Sequence, residues 1–211
     1  MHHSRAIILK KEEWGEADWM VTAFTEDFGK MRFRAQGARK SGAKLRGHLE
    51  PGTIAELSFV AGRNGCRLTG ASLRAWSPDT RASLAKLRAL ERTLSLLDQN
   101  LWEEREGSRE LFADVASALS ALEGARTLAA VRRISVWVPL RLLRALGVLP
   151  PRGSPEAVRA ELLIALAERS ATECDGGAED PDILEAELGR LAVRIGSAVL
   201  IPSVSFVDLT V

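Results

Sequence analysis

Hydrophobic and polar positions along this chain change period once, near residue 78. Upstream, apolar residues come in short alternating or β-branched runs. These are Arg5–Lys10, Trp19–Thr25, the run from Lys30 to Ala35, Ile54–Val60 and Cys66–Trp76. In the third run Met31, Phe33 and Ala35 point one way on a strand and Lys30, Arg32 and Arg34 the other. Asp27-Phe28-Gly29, Pro51-Gly52 and Gly62–Gly65 supply turns between the runs. Five short strands in about 75 residues predict a small closed barrel of the OB type, because closure removes exposed edges. Its longer loops are expected to be those holding Glu12–Asp18 and Gly37–His48.

Downstream, apolar residues recur at three, four and seven, the helical period. Leu84, Leu87, Leu94, Leu97 and Leu101 give one stripe over Thr80–Leu101. Ser108 is the expected N-cap of a second helix with Leu111, Phe112, Val115, Leu119 and Leu122 inward and Gly124 at its end. A third covers Arg126–Leu146, where Pro139 is expected to kink or split it, and Gly147 ends it. Ser154-Pro155 opens a helix to about Ser170, and 175–179 is an acidic loop. Asp180-Pro181 restarts a helix carrying Leu184, Leu188, Leu191 and Ile195, stopped by Pro202. Residues 203–211 are expected to be an extended tail. The fold class is therefore α+β: an OB-fold barrel over 1–78 followed by an α-helical domain over 79–211.

The formal net charge of +1 conceals an asymmetry. Residues 1–80 hold 13 Lys+Arg against 9 Asp+Glu, a balance of +4, and residues 81–211 hold 16 against 19, a balance of −3. Two cysteines, Cys66 and Cys174, allow neither a disulfide framework nor a cysteine-built zinc site, and fit a reducing cytoplasm. Neither a secretory h-region nor a membrane-length apolar run is present, so no membrane is expected.

The positive charge gathers in Gly29–Pro51, where Lys30, Arg32, Arg34, Arg39, Lys40, Lys44 and Arg46 face one acid, Glu50. Gly37, Gly42 and Gly47 keep the second part of this stretch irregular. A cationic strand face running into a cationic loop suits phosphates spaced along a line, so these residues, with His48, are the candidate DNA contacts. Six of eleven aromatic rings lie between Trp14 and Phe59; Trp14, beside Gly15, is the one expected to be exposed, and electrostatic capture is expected to outweigh base stacking. Nothing resembles an active site: His48 is the one histidine away from the N-terminus, glutamates 103, 104 and 106 suit a solvated turn, and no phosphate-binding glycine loop is present. No cofactor is expected.

Several of these elements occur together in one known family. Ala6-Ile7-Ile8-Leu9-Lys10, Gly15-Glu16-Ala17-Asp18, Thr25, Phe28-Gly29-Lys30, Gly37-Ala38-Arg39-Lys40, Leu45-Arg46 and Leu49-Glu50-Pro51 resemble, in order and spacing, the N-terminal domain of the RecO family of bacterial recombination mediators. Glu110-Leu111-Phe112 and Leu140–Pro150 are similar to its helical core. The resemblance implies an OB-fold on a helical domain, and a non-enzymatic protein that binds single- and double-stranded DNA and anneals complementary strands. It also implies help in loading RecA onto DNA coated with single-strand-binding protein, with RecR as partner, in a cytoplasmic, nucleoid-associated setting. Many members carry a four-cysteine zinc motif where this chain has Pro150-Pro151-Arg152-Gly153-Ser154, so no metal is expected. Gly15-Glu16-Ala17-Asp18 reads physically as a turn, with Glu16 and Asp18 capping or pairing with arginines.

The helical half offers a second candidate surface. On a continuous helix Arg126, Arg133 and Arg144 fall within about 20° of one azimuth, with Arg141 close by and Trp137 between. Such a stripe suits the acidic, phenylalanine-ended tail of single-strand-binding protein. The alternative from another class is an OB-fold protein-interaction adaptor with little annealing activity. A nuclease or transferase would need an acid cluster or metal ligands, and none is visible.

Overall fold

The computed structural model describes residues 1–63, 65–103, 108–149, 165–166, 168–175 and 179–195. The chain divides into two compact units, Met1–Ser77 with Leu101–Ala113, and Pro78–Asn100 with Asp114–Val211.

The first unit is a closed barrel of β1 (His2–Trp14), β2 (Asp18–Thr25), β3 (Gly29–Ala35), β4 (Ile54–Gly62) and β5 (Gly65–Ala75), in the order β1-β2-β3-β5-β4 with β4 returning to β1. This is the expected OB-type barrel. All pairings are antiparallel except the β3–β5 seam, which joins Phe33 to Cys66 and Arg34 to Arg67. Alternation fills the interior with Ala6, Ile8, Val21, Ala23, Phe33, Ala35, Ala55, Leu57, Phe59 and Leu68. Phe33 and Phe59 meet at 4.9 Å, and Phe28 meets Phe59 edge-on at 5.5 Å.

Strand β1 is longer at both ends than the run Arg5–Lys10. A bulge between Ile8 and Lys10 turns it, so that His2–Ile7 pairs with β4 and Ala6–Trp14 with β2. His2 stacks on Phe59 at 5.3 Å and His3 Nδ1 shares a 2.9 Å hydrogen bond with the Ser58 hydroxyl, so both N-terminal histidines belong to the sheet. The expected loop over Glu12–Asp18 is instead a tight hairpin: Trp14 faces Asp18, and Gly15, at φ 62°, makes the turn. Phe24 is buried, but on the outer face of the barrel. There Phe112 packs on it at 5.7 Å, under the Arg5 guanidinium at 5.4 Å, and Arg109 pairs with Asp27 at 2.7 Å. Residues 101–103 and 108–113 thus lie over the outer face of β2 and the start of β3, where the backbone of Glu103 forms an isolated parallel β-bridge with that of Lys30.

In the second unit α1 (Pro78–Ala82) and α2 (Leu84–Asn100) replace the single expected helix. Leu84, placed in the stripe by spacing, is 54% exposed, and Ala89, Leu90, Leu94, Leu96 and Leu97 form the buried face. Helix α3 (Arg109–Gly124), whose first turn belongs to the first unit and whose remainder from Asp114 belongs to the second, begins as expected, with the Ser108 hydroxyl accepting from Leu111 N at 3.2 Å. Helix α4 (Leu128–Ala145) starts at Thr127, whose Oγ1 accepts from Ala130 N, and runs through Pro139 without splitting. It ends as the sequence predicts: Gly147, at φ 69°, donates to Arg144 O, and Val148 N donates to Leu143 O. Short α5 (Ala171–Asp175) is followed by α6 (Pro181–Ile195), capped by Asp180 Oδ1 accepting from Asp182 N and burying Leu184, Leu188 and Leu191. The helix expected over Ser154–Ser170 falls largely outside the described residues and the tail 203–211 wholly outside them. Among the described residues no helix is long and apolar enough to cross a membrane.

Candidate nucleic-acid interface

The β1–β2 hairpin grips the root of the glycine-rich loop that leaves β3. Asp18, first residue of β2, accepts from Gly37 N at 2.7 Å and from Arg34 Nε at 2.7 Å. The Gly37 N–H first, and then the Arg34 hydrogen bond, hold its carboxyl below the ordinary aspartate range. Two residues on, Arg39 donates from its backbone N to Ala17 O at 2.9 Å and from Nη1 to Gly15 O at 3.1 Å. Its Nη2 pairs with Glu13 at 2.9 Å. The Gly15-Glu16-Ala17-Asp18 turn thus anchors the loop. Asp18 takes Arg34 as the sequence suggests, whereas Glu13, rather than Glu16, takes Arg39.

Beyond the root the loop folds as consecutive tight turns. Lys40 N donates to Gly37 O, Ala43 N to Lys40 O and Arg46 N to Ala43 O, each at 3.1 Å, and a single 3-10 turn follows over Arg46–His48. Leu49 then drops into the barrel core. Gly52 N donates to Ile8 O at 2.8 Å, fixing the other end. Lys40, Lys44 and Arg46 are left exposed on the turns.

The candidate cations therefore divide into classes that the sequence does not separate. Arg32, Lys40, Lys44 and Arg46 are exposed and form no ion pair within 4 Å among the described residues, although Lys40 is near enough to Asp18 to act on its carboxylate through space. Arg34 and Arg39 are already paired, with Asp18 and Glu13. Lys30 is a correction to the expected cationic face: it is 8% exposed, at the end of β3 where the backbone of Glu103 lies alongside it. His48 is half-buried with its Nδ1 shut off from solvent and unpartnered. Glu50, the lone acid of the stretch, is bound at 2.5 Å by Lys11, whose ammonium also sits 4.2 Å over the Trp19 ring. Arg67 joins the group unannounced, because the parallel seam sets it beside Arg34 on β3. It is exposed, and its Nη1 reaches the neutral Gln36 side chain at 3.4 Å. Only the strand order could have revealed it.

The arginine stripe of the helical half does not form a surface. Arg126 precedes α4 and pairs with Asp79 at 3.5 Å. Arg133 is buried, and so is Trp137, whose Nε1 donates to Arg169 O at 3.0 Å. Arg141 is held by Asp114 at 2.5 Å, 5.4 Å from the Trp137 ring, and Arg126 and Arg144, at the two ends of the stripe, are exposed. The physical reason is that α4 is buried on nearly all sides from Ala130 to Leu143, so a shared azimuth there faces protein rather than water.

Comparison with known proteins agrees with the barrel. Residues 1–75 match the family described as recombination protein O, N terminal. A protein of Roseiflexus named DNA repair protein RecO is 32% identical over 198 residues, covering 94% of this chain and 67% of its own length. A protein of the same name from Salinibacter ruber is 30% identical over 84% of this chain and 69% of the relative. One from Exiguobacterium is 29% identical over 68% of this chain. The chain spans 56% of that last relative's length and about two thirds of the other two.

Proposed function

Because this chain belongs to the RecO family, we propose that it is a non-enzymatic DNA-binding protein of recombinational repair, whose barrel receives the phosphate backbone along β3 and the following loop. The observation that carries the reading is the set of unneutralised cations. Arg32, Lys40, Lys44 and Arg46 stand exposed and form no ion pair within 4 Å among the described residues, while Asp18, Glu13 and Glu50 are taken up by Arg34, Arg39 and Lys11. Cations left unpaired on a rigid scaffold release counterions when they meet phosphates, and that release drives the association. Arg67, beside Arg34 across the seam, adds a fifth cation to the surface, while Arg34 and Arg39 stay with their carboxylates.

Strand annealing follows from the same arrangement: a surface that engages backbone charge leaves base edges free to pair. RecR and single-strand-binding protein, the partners the family resemblance implies, complete the proposal, as does assistance to RecA. The test is binding of fluorescent single- and double-stranded oligonucleotides by the whole chain, compared with a variant carrying Lys40→Ala, Lys44→Ala and Arg46→Ala, followed by an annealing assay with both proteins. Loss of binding and annealing in the variant is expected. Full activity in the variant would move DNA off this loop.

A further inference from the structure

In an antiparallel sheet, residues directly opposite share a face, as do residues two apart on one strand. Trp14 is opposite Asp18, Met20 is opposite Glu12 and Arg34, and Thr22 is opposite Lys10 and Arg32. Arg34 lies beside Arg67 across the seam. Glu12 and Trp14 on β1, Asp18 and Met20 on β2 and Arg34 on β3 therefore lie on the outer surface of three neighbouring strands. Trp14 stands at its end, 49% exposed, two strands from Arg34. The ring is not on a loose tip: the next residue's carbonyl is held by Arg39, and Asp18 opposite is held by Gly37 and Arg34.

From this geometry we propose that Trp14 is a stacking platform for one unpaired nucleobase, placed so that the strand's phosphates run toward Arg34 and the basic loop. The inference rests on the DNA-binding reading above and deepens it by naming single strands as the ligand this end of the site distinguishes. A base in a duplex is already stacked on both faces and offers nothing to the indole, whereas an unpaired base stacks on a ring irrespective of its identity. Phosphate contacts alone cannot make that distinction, because both ligands carry them.

The experiment is fluorescence anisotropy with the whole chain at one fixed salt concentration, using three labelled probes of equal length: single-stranded thymidylate, a single strand of abasic sites, and a duplex. Wild type is compared with Trp14→Ala and Trp14→Phe. On stacking energies, Trp14→Ala is expected to weaken thymidylate binding by about 5- to 150-fold, and Trp14→Phe, which keeps a ring, to restore most of it. Abasic and duplex binding are expected to stay within about twofold, since no cation is removed. Equal weakening on all three probes, or no weakening on thymidylate, overturns the stacking role. A wild type that binds none of the three overturns the DNA-binding reading itself, and the two failures are thus told apart.

Discussion

Salt dependence gives the most searching test of the interface, because pairing in the structure changes the number expected. Seven basic side chains in Lys30–Arg46, all engaging single-stranded phosphates, would give a slope of log K against log salt of about −5, at about 0.7 per contact. The structure covers Lys30 and commits Arg34 and Arg39 to carboxylates, leaving Arg32, Lys40, Lys44 and Arg46, to which the seam adds Arg67. Five contacts give a slope of about −3.5, or about a 130-fold loss of affinity between 50 and 200 mM salt. Replacing Lys40, Lys44 and Arg46 with alanine leaves two, so the slope should fall to about −1.4 and the same change of salt should cost about sevenfold. Anisotropy titrations at five salt concentrations measure both lines. Parallel lines would refute the loop as the contact. A wild-type slope near −5 would refute the count, showing that Asp18 and Glu13 surrender their arginines to DNA.

Lys30→Ala should leave DNA affinity within about twofold, because the side chain is covered, while lowering the urea midpoint of the protein; loss of affinity without loss of stability would contradict this placement. Phe112→Ala removes a 1%-exposed ring from between Phe24 and the Arg5 guanidinium and should cost about 3–5 kcal/mol in chemical denaturation, whereas a cost below about 1 kcal/mol would mean that residues 108–113 are not packed on the barrel. Acid should loosen the first unit. Asp18, Glu26, Asp27 and Glu56 are held below their ordinary values by, foremost, the Gly37 N–H, Arg5, the Ser4 hydroxyl and Arg74 respectively. Groups lowered in the folded state contribute fully above their unfolded values near 4, and that contribution is lost as the pH falls through the lowered ones. The urea midpoint should thus be flat above about pH 5 and decline below about pH 4; an unchanged midpoint at pH 3 would count against these hydrogen bonds.

The strands were legible where one face is core and the other water, since Met31-Phe33-Ala35 and Ile54–Val60 carry the period in their composition. The continuation of β1 to Trp14 was not, because beyond Leu9 both faces are polar and pairing with β2 alone keeps the strand extended. Alternation placed Lys30, Arg32 and Arg34 on one face correctly. It could not show that the backbone of Glu103 would lie alongside Lys30, nor that a parallel seam would bring up Arg67. The helical stripe failed in the opposite way: Arg133, Trp137 and Arg141 do share a side of α4, but a helical wheel does not say which side faces water. Leu84 repeats the lesson, an apolar residue in phase with its neighbours but beyond the reach of the core at the start of α2.

The hairpin's hold on Gly37 and Arg39, and the tie from Gly52 to Ile8, have an entropic consequence. Fixing a residue's backbone costs about 1–2 kcal/mol, and a loop tethered only at its strands would owe that sum along its whole length when it met a ligand. Here folding has already immobilised both ends, and hydrogen-bonded turns shape the residues between them. The loop is short in the sense that matters for association, whatever its length in sequence. Its cations meet a strand with most of their positional freedom already spent, and more of each phosphate contact survives as affinity.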